Sequence, residues 1–170
     1  IFATVKYINL LLFLLLNILW LNGQAQQGRL TQVSSKHTWI KDQNKWVAIT
    51  GVYEQNGNTL SADSSIMFED AIKRQFFDAF NNVVITQPSG TVIYADRLHY
   101  DALAQNAVLT GNVRLVSASS ILTTNHLTYN LGSKTGTYKN GGRIVSQADT
   151  ITSQRGYYFE NVGDAFFRGK

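Results

Sequence analysis

Three histidines, 11 acidic residues and a scatter of serines are the groups in this sequence that could do chemistry. His37, His99 and His126 share no ligand spacing, and no HExxH or His-x-His pair exists, so no metal site is expected. The chain has no cysteine, which removes thiolate zinc sites, catalytic thiols, disulfide frameworks and a lipidated N-terminal cysteine. Asp96 and Asp101 come nearest to a carboxylate pair, but each follows a strand-like segment and reads as a turn or bulge residue. The run Ser117-Ala118-Ser119-Ser120 falls at a turn, and no Gly-x-Ser-x-Gly elbow, P-loop or GxGxxG occurs. Basic residues are dispersed rather than clustered with aromatics, which argues against nucleic acid. The expectation is a protein with no catalytic residues, no metal and no cofactor.

What must position the remaining residues is set by composition and pattern. The chain has 170 residues, a net charge of +4, one proline, 13 glycines and 12% aromatics, and only 15% of its residues are charged. That is a mix rich in strand formers, and it is unlike a disordered tail. Lys6 precedes the apolar run Leu10 to Leu16 and Ile18 to Leu21, and small polar residues follow. This is the pattern of a secretory signal peptide with Ala25 the last residue removed, and the alternative is an uncleaved N-terminal anchor. The division expected is 1–25 signal peptide and 26–170 one β domain continuing beyond the chain end. Export without cysteine points to a bacterial envelope compartment.

A repeat runs through the domain. Tyr100, Tyr129 and Tyr158 stand 29 residues apart, and so do Ile93, Leu122 and Ile151, and Leu109, Tyr138 and Phe167. Looser copies lie upstream, with Leu60-Ser61-Ala62-Asp63 matching Ile93-Tyr94-Ala95-Asp96. Inside each unit the apolar period is two, which predicts half-buried strands joined by turns such as Gln55-Asn56-Gly57-Asn58 and Leu131-Gly132-Ser133-Lys134. A one-residue slip near Asp96 reads as a bulge, whereas Ala107, Leu109, Gly111, Val113 and Leu115 read as strict alternation. Gly111, Gly141 and Gly142 are expected at bends or bulges. Glu69 to Phe80 could pass for a helix, but its place in the repeat predicts turn and strand. Trp39 and Trp46 are expected to cap the first rung, with docking of a partner there as the alternative.

The predicted fold is all-β, an elongated jelly roll or folded-over antiparallel sheet of stacked rungs with open ends. Stacked units bury the apolar face that one unit cannot bury alone. The inward set is Ile93, Leu98, Tyr100, Leu109, Val113, Leu115, Leu122, Leu127, Tyr129, Tyr138, Ile144 and Tyr158.

Residues 89–101, Ser-Gly-Thr-Val-Ile-Tyr-Ala-Asp-Arg-Leu-His-Tyr-Asp, followed by Ala107-Val108-Leu109-Thr110-Gly111-Asn112-Val113, resemble the OstA/LptA family of periplasmic lipopolysaccharide-transport proteins. The resemblance spans about residues 46–170. It is loosest where Asn125 replaces the aspartate and Asn140-Gly141-Gly142 replaces Gly-Asn-Val, variants similar to OstA-like proteins of the Bacteroidetes type. It implies a twisted β-jellyroll, open at both ends, that does no chemistry. It implies that the inward set lines a trough for lipopolysaccharide acyl chains, with the head group near Arg97, Arg114 and Arg143. It also implies end-to-end strand pairing with other bridge proteins or copies of itself, in the periplasm or against the outer membrane. The readings set beside it are the periplasmic N-terminal part of an outer-membrane translocon and a surface solenoid that binds no lipid.

Overall fold

The computed structural model describes residues 28–146, 149–160 and 164–168. The signal-peptide reading of 1–25 and most of the turn at 161–164 lie outside these residues. Eleven strands are described: β1 (Thr31–Ser34), β2 (His37–Asp42), β3 (Lys45–Gln55), β4 (Asn58–Glu69), β5 (Gln75–Thr86), β6 (Val92–Asp101), β7 (Asn106–Val116), β8 (Ser120–Asn130), β9 (Thr135–Ser146), β10 (Thr150–Phe159) and β11 (Asp164–Arg168). All pair antiparallel in one sheet, and from β4 onward each strand neighbours only the strands immediately before and after it in sequence. β1 and β2 both pair with β3, one along each half, and together make a first rung broken at Ser35-Lys36. The fold is the all-β folded-over sheet that the alternation predicts. The stretch from Glu69 to Phe80 is the end of β4, a turn held by Asp70, and the start of β5.

The sheet folds over because every long strand turns a corner near its middle. In β4, β6, β8 and β10 the buried residues step by three there: Ala62 to Ser65, Ala95 to Leu98, Thr124 to Leu127, Ser153 to Gly156. In β5, β7 and β9 they step by four: Ala79 to Val83, Leu109 to Val113, Tyr138 to Gly142. The extra residues in the odd strands adopt left-handed backbone. They are Asn81 (φ 60) and Asn82 (φ 48), Gly111 (φ 77) and Asn112 (φ 48), and Asn140 (φ 74) and Gly141 (φ 95). Asparagine and glycine tolerate that region best. Strict alternation through Gly111 is therefore corrected: the pair Gly111-Asn112 bends β7, and the register shifts in the ladders on both sides. Asn112 Nδ2 donates to Asp96 Oδ2 across the corner at 2.8 Å, as Asn82 Nδ2 donates to Asp63 Oδ2 at 2.9 Å one unit earlier.

Gly142 is not a bend residue. It carries no left-handed φ, and it is glycine because the Tyr138 ring lies over it. A Cβ on Gly142 would stand 2.4 Å from the ring, and so would one on Gly156 on the other side.

The two halves of the folded sheet face each other, and the buried apolar residues of β3–β10 form one continuous core between them. Each fully buried Leu, Ile or Val contributes roughly 1.5–3 kcal/mol by leaving water. At the first rung the core ends differently from the tryptophan cap expected. Leu30, 1% exposed, plugs the interior, with its N–H donating to Gln75 Oε1 and its carbonyl accepting from Gln75 Nε2. Trp39 is 47% exposed, and its partner Val47 puts it on the outer face; Trp46 is half-buried.

Candidate functional site

The interior is built by alternation. Ile93, Leu98, Tyr100, Leu109, Val113, Leu115, Leu122, Leu127, Tyr129, Tyr138, Ile144 and Tyr158 all point between the two sheet halves, none more than 6% exposed. Cross-strand pairing sets them side by side, as in Ile93–Leu115–Leu122–Ile144 on one side of the corner and Tyr100–Ala107–Tyr129 on the other. All twelve thus lie in one body of side chains. That body is packed, so it is a closed interior and not an open groove.

The side of the fold opposite the corner is where the two halves meet, turn against turn. Here the 29-residue tyrosines act. Tyr100, near the end of β6, donates its hydroxyl to Gln55 Oε1 at 2.6 Å, at the end of β3. Tyr129 on β8 donates to Gln87 Oε1 at 2.9 Å, in the turn after β5. Tyr158 on β10 donates to Ser117 Oγ at 3.0 Å, in the turn after β7. Each hydroxyl therefore crosses to a turn some 40 residues earlier and ties one edge of the folded sheet to the other. The glutamines extend the ties: Gln55 Nε2 donates to the Ala102 carbonyl at 2.9 Å, and Gln87 Nε2 to the Leu131 carbonyl at 3.3 Å. Glu160 reinforces the second tie, accepting from Ser89 Oγ, Thr91 Oγ1 and Tyr129. These groups form a polar seam over an apolar interior. Among the described residues no buried polar side-chain atom lacks a partner.

The seam's electrostatics follow from burial. Burial pushes the Tyr100 hydroxyl well above its ordinary range, with the Asp101 charge adding to the effect. Burial raises Tyr129 further, and the bond to Glu160 and its charge reinforce the shift. Both tyrosines stay neutral donors, as their acceptors require. Two small clefts of about 270 and 220 Å³ lie along the seam, one beside Gln55 and Ala102, the other beside Gln87 and Leu131.

The groups capable of chemistry are dispersed. His99 pairs with Asp78 at 2.6 Å on the outer surface, far in sequence from His37 and His126. Asp101 caps its own turn, accepting from the Leu103 and Ala104 N–H groups at 3.0 Å. Among the described residues no three His, Cys, Asp or Glu side chains gather as metal ligands. Arg97, Arg114 and Arg143 are exposed and lie on the outer face beside the corner, across the sheet from the interior.

A single antiparallel sheet folded along a line of corners, sealed along its edges and filled with apolar side chains, defines a folded-over β-jellyroll. The model of the OstA-like protein family matches residues 29–170, and the chain belongs to that family. The fold is similar to the crystal structure of LptH, the LptA-homologous periplasmic component of the lipopolysaccharide transport device of Pseudomonas aeruginosa. The TM-score is 0.56 at 12% identity, over 62% of this chain and 78% of that one. No curated protein sequence matches the chain.

Proposed function

We propose that this chain is a non-enzymatic, lipid-shielding element of lipopolysaccharide transport in the periplasm. The observation that carries the reading is the continuous apolar interior of β3–β10, closed on one side by corners and on the other by hydrogen bonds. Membership of the OstA-like family and the fold shared with LptH support it. Acyl chains gain about 0.8 kcal/mol for each CH₂ removed from water, so an interior of this kind holds lipid tails strongly once it opens. The tyrosine seam is where it opens, because parting it breaks side-chain bonds and leaves the strand ladders intact. The lipid leaves unchanged, and the twelve inward residues contact it. At the ends, the outer edges of β11 and of the β1–β2 rung offer backbone groups for pairing with neighbouring bridge proteins or copies of this chain.

Photo-crosslinkers at Leu109 and Tyr129 test the reading in cells that make lipopolysaccharide. Both positions should trap the lipid. Tyr157, 56% exposed on the outer face, should not. Crosslinking at Tyr157 alone, or at none of the three, overturns the proposal.

A further inference from the structure

The outer surface of the corner carries a second feature that lipid shielding does not use. Two rows of outward residues flank the corner on β6–β10. One row pairs Tyr94 with Arg114, Arg114 with Thr123, Thr123 with Arg143 and Arg143 with Thr152. The other pairs Arg97 with Thr110 and Thr110 with His126, and Lys139 with Arg155. Arg97, Arg114, Lys139, Arg143 and Arg155 are all exposed. Among the described residues none of these five side chains takes part in a salt bridge; Arg114 lies 6.0 Å over the Tyr94 ring. The corner position itself runs Asp63, Asp96, Asn125, Gln154 along the even strands, two acids followed by two neutral amides. The one acid in this stretch, Asp96, already accepts from Asn112. On β4 and β5 the flanking positions are Ser61, Ser64, Phe80 and Val84, with no cation among them. Along β4 and β5 the corner thus carries no cation, whereas β6–β10 carry five. Among them lies a shallow cleft of about 520 Å³, lined by Asn112, Arg114, Thr123, Asn125, Asn140 and Arg143, and it contains no carboxylate.

We propose that this basic face is a docking surface for an anionic phospholipid bilayer. Five strands at the ordinary spacing span roughly 19 Å, wide enough to meet several lipid phosphates at once. A protein partner would want a buried aromatic or aliphatic anchor at the centre of the patch. This surface offers threonines, asparagines and solvated cations instead. A group bound here cannot be the head of a lipid whose tails fill the interior, because the sheet wall stands between them. Docking through the corner turns the seam away from the bilayer and leaves it free to open.

Flotation of the purified chain with vesicles tests this. Vesicles of phosphatidylcholine with about 30% phosphatidylglycerol should carry the protein at low salt and release it as salt rises toward 0.5 M. Pure phosphatidylcholine should not carry it. Arg114→Gln with Arg143→Gln should weaken vesicle binding roughly tenfold or more, with the circular-dichroism spectrum and melting unchanged. Lys139→Gln with Arg155→Gln, in the other row, should weaken it as well. Equal binding to both kinds of vesicle, or binding untouched by either double variant, overturns the proposal. So does displacement by millimolar inorganic phosphate, which would mark a free-anion site. Arginine-dependent binding of polyglutamate without vesicle binding would mark an acidic protein partner instead. Crosslinking at Leu109 and Tyr129 is independent of these variants, so the two readings fail separately.

Discussion

The Tyr129 hydroxyl reaches Gln87 Oε1, 42 residues earlier in the chain and on the opposite edge of the folded sheet, and shares its one proton between that amide oxygen and Glu160. Tyr100 with Gln55 and Tyr158 with Ser117 repeat the arrangement one unit to either side. The 29-residue spacing of these tyrosines thus has a structural cause. Each rung needs one hydroxyl long enough to cross the interior and strong enough as a donor to close the gap.

Tyr129→Phe leaves Gln87 Oε1 and a Glu160 oxygen short of a donor. The expected loss is about 1–3 kcal/mol, the usual cost of orphaning buried acceptors. Urea denaturation measures it, and an unchanged midpoint would rule out the seam as a stabilising element.

The same group sets an alkaline limit. Tyr53, Tyr100 and Tyr129 all have folded-state pKa values raised above 10.0, chiefly by burial. A raised value means that only the unfolded chain ionises as pH passes 10. Their contribution is therefore full below pH 10 and is lost progressively as pH climbs toward the raised values. Each tyrosine adds about 1.4 kcal/mol per pH unit to the slope. Stability should be flat from pH 7 to 9 and fall steeply above 10. Tyr129→Phe should make that fall shallower by one proton, which a pH series of denaturation midpoints reads directly.

Gln87→Leu removes the bonds to Asn58 and the Leu131 carbonyl while Tyr129 keeps Glu160. Hydrogen exchange should quicken at the Leu131 amide, which donates to the Gln105 carbonyl in the turn between β6 and β7. The Leu109 amide, deep in the ladder, should change only with global stability. Equal acceleration at both sites would mean that the seam does not open on its own.

Gly156→Ala places a methyl 2.4 Å from the Tyr138 ring. Overpacking of this kind costs about 1–3 kcal/mol. Tyr138→Leu in the same chain should recover part of that loss, because a smaller side chain clears the new methyl. Failure of the second change to rescue would place the strain elsewhere.

At the corner, Asn112→Gly keeps the left-handed backbone and loses only the bond to Asp96, so about 1 kcal/mol is expected. Asn112→Val should cost more, because a branched residue resists positive φ. The difference between the two separates backbone strain from the side-chain bond in one denaturation series.

The rungs were legible because burial alternates along each strand, so Ile93, Leu98, Leu109 and Leu122 announce their face by period alone. The corner was half legible. The slip near Asp96 showed in the pattern, but its complement at Gly111-Asn112 did not, since a step of four keeps the parity of a straight strand. The third corner shows why its motif is looser. With Asn125 and Gly141 in place of Asp and Asn, Thr124 Oγ1 donates to the Gly141 carbonyl at 2.7 Å instead. Gln55, Gln87 and Glu160 were missed because they sit at strand ends or in turns, where polar residues need no explanation. One signal was present: Gln55 follows Tyr53, and Gln87 follows Ile85, at the inward parity. A buried-parity glutamine at a strand's end calls for a distant partner, and sequence order cannot say which one.

From β4 onward each strand pairs along its ladder only with its predecessor and successor, and the seam ties repeat from unit to unit, so the ladder does not depend on how many strands there are. Duplicating one two-strand unit would lengthen the molecule by roughly 9.6 Å, twice the strand spacing, and the added unit would bring its own ladder and its own seam tie. Reach becomes a quantity that gene duplication can set in steps, as links set the length of a chain. A protein made this way can be fitted to a gap between two fixed objects without redesigning any part of it.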